Sequence, residues 1–335
     1  MANIKQVITD PISKAIDKLG VFDRKLRKLS SKKGSWIIVM YHRVVPDGTV
    51  DVYDLGMSVS RSNFIAQVDY FKENFSIIGV SEAIDLLQKG GTLPENALSV
   101  TFDDGYQDTY DNAFPYLFEC DVPSALYLST EGINQREPFW WDRVANIVAN
   151  TSEYSIDLDG IDSTNSECVL KLSEGKKLKS LQKLLSLLWL QPPNTLNGSI
   201  SKLEERLGDV SVDCLPRRLG LKEVRKLIDK KVEIGAHSIS HINLTLFDDS
   251  ELTVEFTMPK AELEKMLKIN INGFAFPGGR VNARVEKMIS KCGFTYGLGV
   301  ESGINREPYS YSNLLRIGMP NMSCSNVKRV FCKYI

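Results

Sequence analysis

Leu98-Ser-Val-Thr-Phe-Asp-Asp-Gly105 is a short apolar run that ends on two adjacent carboxylates and a glycine. The run is continuous rather than alternating, the pattern of a strand buried on both faces of a parallel sheet. Two carboxylates side by side repel each other at short range. Read alone, the stretch is an ordinary strand-ending turn, because Asp-Asp-Gly is common turn chemistry. A bound cation gives it a second reading. The cation holds one carboxylate ionised and leaves the other to accept a proton. Gly105 permits a tight turn that brings both side chains into one pocket.

Seven further apolar runs lie outward from this one, at 37–41, 76–80, 124–128, 232–235, 273–276, 294–298 and 314–317. Helical patterns separate them: 61–74 behind Ser60 as N-cap, 81–89 ending at Gly90-Gly91, then 108–120, 221–230, 248–267 and 282–292. Strand and helix in alternation predict a parallel α/β barrel. The alternation breaks once, from about 138 to 218, where helical stretches and a Pro192-Pro193-Asn194 turn replace strands. A helical insertion after the fourth strand is expected there, at the barrel mouth, where insertions commonly shape substrate access. Residues 1–34 are expected to form a basic, helical extension and 35–335 the barrel.

The chain has 335 residues, 43% hydrophobic and 25% charged, with a formal net charge of -1. That balance gives a nucleic-acid partner no general electrostatic support. The first residues lack the apolar core of a signal peptide, and the run 181–190 is too short to span a bilayer. Cys120, Cys168, Cys214, Cys292, Cys324 and Cys332 are scattered with no CxxC pair. Unpaired thiols in a reducing cytoplasm are the expectation. Residues 1–33 carry nine Lys or Arg against three Asp, and Ile12 to Leu29 shows a roughly helical apolar spacing. The plain reading is a solvated helix packed on the barrel. The functional one is peripheral contact with the anionic inner surface of a membrane.

The chain has only three histidines, His42, His237 and His241, the last two in Gly235-Ala-His-Ser-Ile-Ser-His241. A spacing of four is expected to place both imidazoles on one face of a helical turn, with Ser238 as its cap, a geometry that suits a divalent metal. Alone, the pair reads equally as two ordinary polar residues. Position separates the readings. His42 follows the first strand, Asp103 and Asp104 the third, His237 the fifth and Phe276-Pro-Gly-Gly279 the sixth. In a parallel barrel these strand ends share one face, where such enzymes keep their sites.

Thr101-Phe-Asp-Asp-Gly105 and His237-Ser-Ile-Ser-His241 resemble the first two motifs of the polysaccharide deacetylases, the NodB-homology or carbohydrate esterase family 4 proteins. The resemblance covers about 35–335 apart from the insertion. It implies an irregular (β/α)7-type barrel, with Asp103 as general base and Asp104, His237 and His241 as metal ligands. The implied ion is Zn2+, although a His2Asp set with open positions also suits Co2+, Ni2+, Mn2+ or Fe2+. The implied substrate is an N-acetylated glycan or glycolipid, of a surface polysaccharide or its lipid-linked precursor.

Two departures from the family pattern stand out. Ala275 occupies the position where the third motif carries arginine, and no histidine lies beyond His241 to act as the late general acid. Phe276-Pro-Gly-Gly279 retains the Gly278 backbone N–H for an oxyanion, and Arg280 or Arg316 is the candidate replacement for the missing guanidinium. Met40-Tyr-His-Arg-Val44 resembles the N-terminal segment of biofilm-polysaccharide deacetylases whose motif order is circularly permuted, which implies His42 as the acid. Phe139-Trp-Trp-Asp142 opens the insertion. Trp140, Trp141 and Asp142 are read either as a sugar-stacking platform or as an anchor to the barrel. Hydrolysis of another amide or an O-acetyl ester, and a degenerate sugar-binding module, stand as alternatives.

Overall fold

The computed structural model describes residues 34–49, 55–159, 161, 169–172, 175–208 and 215–334, together with Arg24. The basic extension and its proposed membrane contact lie outside the described residues, Arg24 apart. All eight expected strands are present in one sheet: β1 Trp36–Tyr41, β2 Ser76–Ile77, β3 Ala97–Asp104, β4 Ser124–Leu128, β5 Glu233–Ala236, β6 Gly273–Ala275, β7 Tyr296–Leu298 and β8 Ile317–Gly318. Their order is β7-β6-β5-β4-β3-β1-β8, with β2 paired to the start of β3, and every pairing is parallel. Leu314 bridges Leu298 of β7 while Ile317 pairs with Val39 of β1. The segment 314–318 therefore touches both edges of the sheet, which curls into an irregular (β/α)7-type barrel.

Burial explains the continuous apolar runs. Every residue of β1, β3 and β4 is buried, because the barrel interior covers one face and helices the other. Helix Arg61–Asn74 begins where its cap predicts, with Ser60 Oγ accepting from Asn63 N, and buries Phe64, Val68 and Phe71. The stretch expected as one helix over 108–120 is two, Gln107–Asn112 and Phe114–Glu119. Pro115 stands at the joint, and its missing N–H cannot continue the ladder. Between β4 and β5 the insertion contributes helices Trp140–Asn150, Lys177–Leu188 and Pro193–Leu207, the first packed on the other two. It also holds an antiparallel ribbon, Ser155–Asp157 with Val169–Lys171. Three-residue strands are too short to show an alternation in sequence. Cys120, Cys292, Cys324 and Cys332 carry no disulfide, and no helix among the described residues is long and apolar enough to cross a membrane.

Candidate active site

Asp104 closes β3 and His237 directly follows β5, two strands away across β4. His237 Nε2 and His241 Nε2 lie 3.4 and 3.2 Å from Asp104 Oδ1. His237 Nδ1 is 2.7 Å from the Ala275 carbonyl oxygen. A carbonyl only accepts, so Nδ1 carries the hydrogen and a neutral ring turns its Nε2 lone pair toward Asp104. Asp104 is 1% exposed, and neither of its carboxylate oxygens has a hydrogen-bond partner. A buried carboxylate with no donor is strongly unfavourable unless a cation compensates it. The donor set, one carboxylate and two imidazoles within 4.8 Å of one another, fits a divalent metal of the zinc type. Without an ion, burial works against the charged form of Asp104, but His241 and His237 in their protonated forms outweigh it and hold its pKa well below the usual carboxylate range. Burial lowers the His241 pKa, whereas the two carboxylates outweigh burial at His237 and raise it.

The histidine pair is not on a helical turn. Ser238 and His241 both have left-handed backbone, at φ 62° and 49°, and the nearest helical residues begin at Leu244. The rings converge because the chain reverses between them. Ser238 Oγ accepts from His241 N at 3.0 Å, so the cap-like role expected of Ser238 is present without a helix. Left-handed conformations outside glycine are strained and persist only where surroundings over-determine them. Three contacts do so along one side: Ser129 Oγ donates to His237 O, Thr130 N to Ser238 O and Glu131 N to Ile239 O. Glu255, reaching in from helix Asp249–Leu267, completes the clamp. Its two oxygens accept from Ile239 N and Ser240 Oγ, each at 2.9 Å. No motif flags Glu255 in the sequence. The one available signal is a carboxylate on the buried stripe of that helix, together with Leu252, Phe256 and Leu263.

Asp103 borders the same cavity and is paired with Arg316, beyond β7. Arg316 Nη1 and Nη2 donate to Asp103 Oδ1 and Oδ2 at 2.8 and 2.6 Å, and Nε donates to Gly299 O. Both partners are buried, the arginine completely. Burial pushes the Asp103 carboxyl up, but Arg316 and then His237 prevail and hold it below its ordinary value. Of the two arginines named from sequence, Arg316 is therefore the one beside Asp103. Arg280 is exposed and lines the cavity mouth. Ala275, standing at the family's arginine position, contributes its carbonyl to His237 instead.

A cavity of about 530 Å3 opens over these groups, and His42, Asp103, Asp104, His237, His241, Gly278 and Arg280 all border it. Gly278 adopts φ 53°, and a Cβ there would sit 2.4 Å from Trp189 Cζ2, so only glycine fits this wall. Trp140 and Trp141 border the cavity too, yet they are only 8% and 6% exposed. Their indole N–H groups are engaged internally, Trp141 to Tyr106 Oη and Trp140 to His241 O. The Trp141 ring packs 4.3 Å from the His241 ring, with Phe139 and Trp189 at 5.8 and 5.7 Å. This is an anchoring geometry that also walls the candidate metal cluster. Asp142 lies behind it, buried, accepting from Tyr106 Oη at 2.9 Å.

Residues 204–297, which include both histidines of the pair and Gly278, match the polysaccharide deacetylase family model. The poly-beta-1,6-N-acetyl-D-glucosamine N-deacetylase of Staphylococcus aureus is 22% identical over 248 residues, covering 68% of this chain and 84% of that protein. Among solved structures, the Streptococcus pyogenes deacetylase PplD in complex with acetate has a TM-score of 0.59 at 17% identity, over 89% of this chain and 99% of that one. IcaB from Ammonifex degensii has a TM-score of 0.52 at 16% identity, over 86% and 93%. These two likenesses bear on the fold, and they agree with the curled parallel sheet. The family match thus falls on the histidine loop, with Asp103-Asp104 placed beside that loop in space, and over residues 204–297 the chain is similar to the polysaccharide deacetylase family.

Proposed function

We propose that this protein is a metal-dependent deacetylase that removes acetyl groups from N-acetylated sugars of a surface polysaccharide or its lipid-linked precursor. The observation that carries the reading is the buried Asp104 carboxylate, without a donor, facing the Nε2 atoms of two imidazoles beside a second, charge-paired carboxylate. The curated relative acts, by its name, on poly-beta-1,6-N-acetyl-D-glucosamine. That makes an N-acetylglucosamine glycan the first substrate to test.

Asp104, His237 and His241 would hold the metal, Zn2+ or another ion of similar preference. When bound, such an ion polarises a carbonyl and lowers the pKa of water from ~15.7 towards ~7. The chain supplies the proton chemistry. Asp103, kept ionised by Arg316, is the base that takes the proton of the attacking water. The bidentate arginine occupies only part of the carboxylate's acceptor capacity, so further lone pairs stay available to water. The Gly278 backbone N–H is assigned to the oxyanion, where removing one such donor typically costs ~3 kcal/mol of transition-state stabilisation. His42 is assigned to protonate the departing amine, since expelling an unprotonated amide nitrogen is prohibitive. The products are acetate and a free amino sugar.

The Arg316–Asp103 pair also weighs against a degenerate, purely sugar-binding module, because it supplies the guanidinium that Ala275 lacks. The test is acetate release from N-acetylglucosamine oligomers, before and after chelation and after Zn2+ or Co2+ add-back. Metal-dependent release is expected. A chromogenic acetate ester run in parallel separates amide from ester preference. No release from any oligomer by the metal-loaded protein would sink the proposal.

A further inference from the structure

The cavity over the candidate metal cluster has two unlike halves. Its floor is ionic. Its outer wall is built from Leu55, Met57, Leu185, Trp189 and Leu190. The first two precede strand Ser58–Ser60, and the other three belong to the insertion, at and just beyond the end of helix Lys177–Leu188. Beyond the floor, the polar side chains that border the cavity are His42, Gln182, Ser186 and Arg280. Ser186 Oγ already donates to the Gln182 carbonyl at 2.8 Å.

A glycan carries a hydroxyl on most ring carbons, and each hydroxyl buried without a partner is unfavourable. One sugar can find partners at the floor. A second sugar laid along the leucine wall would find few, whereas an alkyl chain finds a surface of its own kind. Leu190 carries the wall out to solvent, 55% exposed, and Leu178 on helix Lys177–Leu188 is 41% exposed. Residues 176–190 also hold four lysines and no acidic residue. A leucine wall continued by a lysine-bearing helix complements an anionic headgroup layer.

We propose that this wall is an aglycone subsite. The enzyme acts on the N-acetylated sugar at the head of a glycolipid, and the first methylenes of the lipid lie against Leu55, Met57, Leu185, Trp189 and Leu190. The proposal rests on the deacetylase reading and assigns its substrate class.

The test compares decyl and methyl β-glycosides of N-acetylglucosamine, below the micelle-forming concentration of the former, with plain N-acetylglucosamine oligomers as reference. Burying two methylenes is already worth about tenfold in affinity, so kcat/KM for the decyl glycoside is expected to be at least about tenfold higher, mainly through KM. Leu190→Gln alters a half-exposed position and so preserves the fold, and Leu185→Gln tests the inner wall. Each is expected to cut the decyl preference by about fivefold, with Zn2+ affinity unchanged. Equal use of the two glycosides, or a decyl preference that both variants retain, overturns the subsite while oligomer turnover leaves the deacetylase reading standing. No acetate from any of the three substrates overturns both.

Discussion

Asp103 is charged in a place where burial disfavours charge, and Arg316 is the reason. Its pKa in the folded chain is lower than in the unfolded chain. The pair therefore stabilises the fold above the ordinary carboxylate range, and that contribution is lost as pH falls through the depressed folded value. The same shift sets the acidic limb of activity, because the base works only when ionised. Arg316→Met removes the partner and leaves the burial, so the acidic limb of kcat/KM is expected to move to higher pH. Stability near neutrality should fall by roughly 3–5 kcal/mol, the usual effect of stripping one partner from a buried pair. Arg316→Lys keeps a charge but not the fork, and should give a smaller displacement in the same direction. A pH–rate profile with a denaturant melt for each variant checks both parts, and an unmoved acidic limb would remove Arg316 from its role. Asp103→Asn tests the base directly. Loss of a positioned general base is worth about 10²–10⁴ in rate. An Asn variant that folds, binds Zn2+ and keeps full acetate release would take Asp103 out of the mechanism.

At the scale of elements, the histidine loop and helix Asp249–Leu267 form one device. Glu255 holds the Ile239 peptide N–H and the Ser240 hydroxyl between His237 and His241, beside the left-handed residues Ser238 and His241. Outer groups that orient metal ligands typically affect metal affinity by about 10–100-fold, so Glu255→Ala should weaken Zn2+ binding within that range. Glu255→Gln keeps an acceptor of the same shape and should recover part of it. Competition with a chromophoric chelator reads the affinity, and circular dichroism confirms that the barrel persists. Unchanged affinity in the Ala variant would reduce Glu255 to a packing residue. The contrast with the strands shows what a sequence displays. Val39, Val100 and Leu126 sit in unbroken apolar runs because strands buried on both faces admit little else, and all eight strands were legible. The convergence of polar residues at their ends was legible too, since Asp103 and Asp104 are adjacent and the histidine pair lies close in sequence. The turn at 238–241 was not, because spacing alone does not distinguish a helical turn from two left-handed residues. Arg316 was one of two candidates, and Glu255 none. Both act across 213 and 15–16 residues of chain, through contacts that only the folded barrel creates.

On the scale of the whole molecule, the candidate metal site joins the ends of separate strands of the barrel. Asp104 ends β3, the histidine loop leaves β5, and Ala275 of β6 fixes the His237 ring. The insertion closes over the same point through Trp141 and Trp189, both packed against His241. An ion held there belongs to the folded state alone, since the unfolded chain leaves its three ligands far apart. Stability should then follow mass action. At a free Zn2+ concentration a hundred times the dissociation constant, the gain is about 2.7 kcal/mol. For a domain of this size that is a rise in Tm on the order of 5 °C. Chelation should reverse the rise, and His241→Ala should abolish most of it, judged against that variant's own metal-free Tm. Calorimetric scans across a zinc titration would show both effects without reference to turnover. A Tm that ignores zinc in the parent chain would mean that Asp104, His237 and His241 meet for some reason other than a metal. The same scans with Co2+, Ni2+ and Mn2+ in place of zinc would rank the ions by the shift each produces.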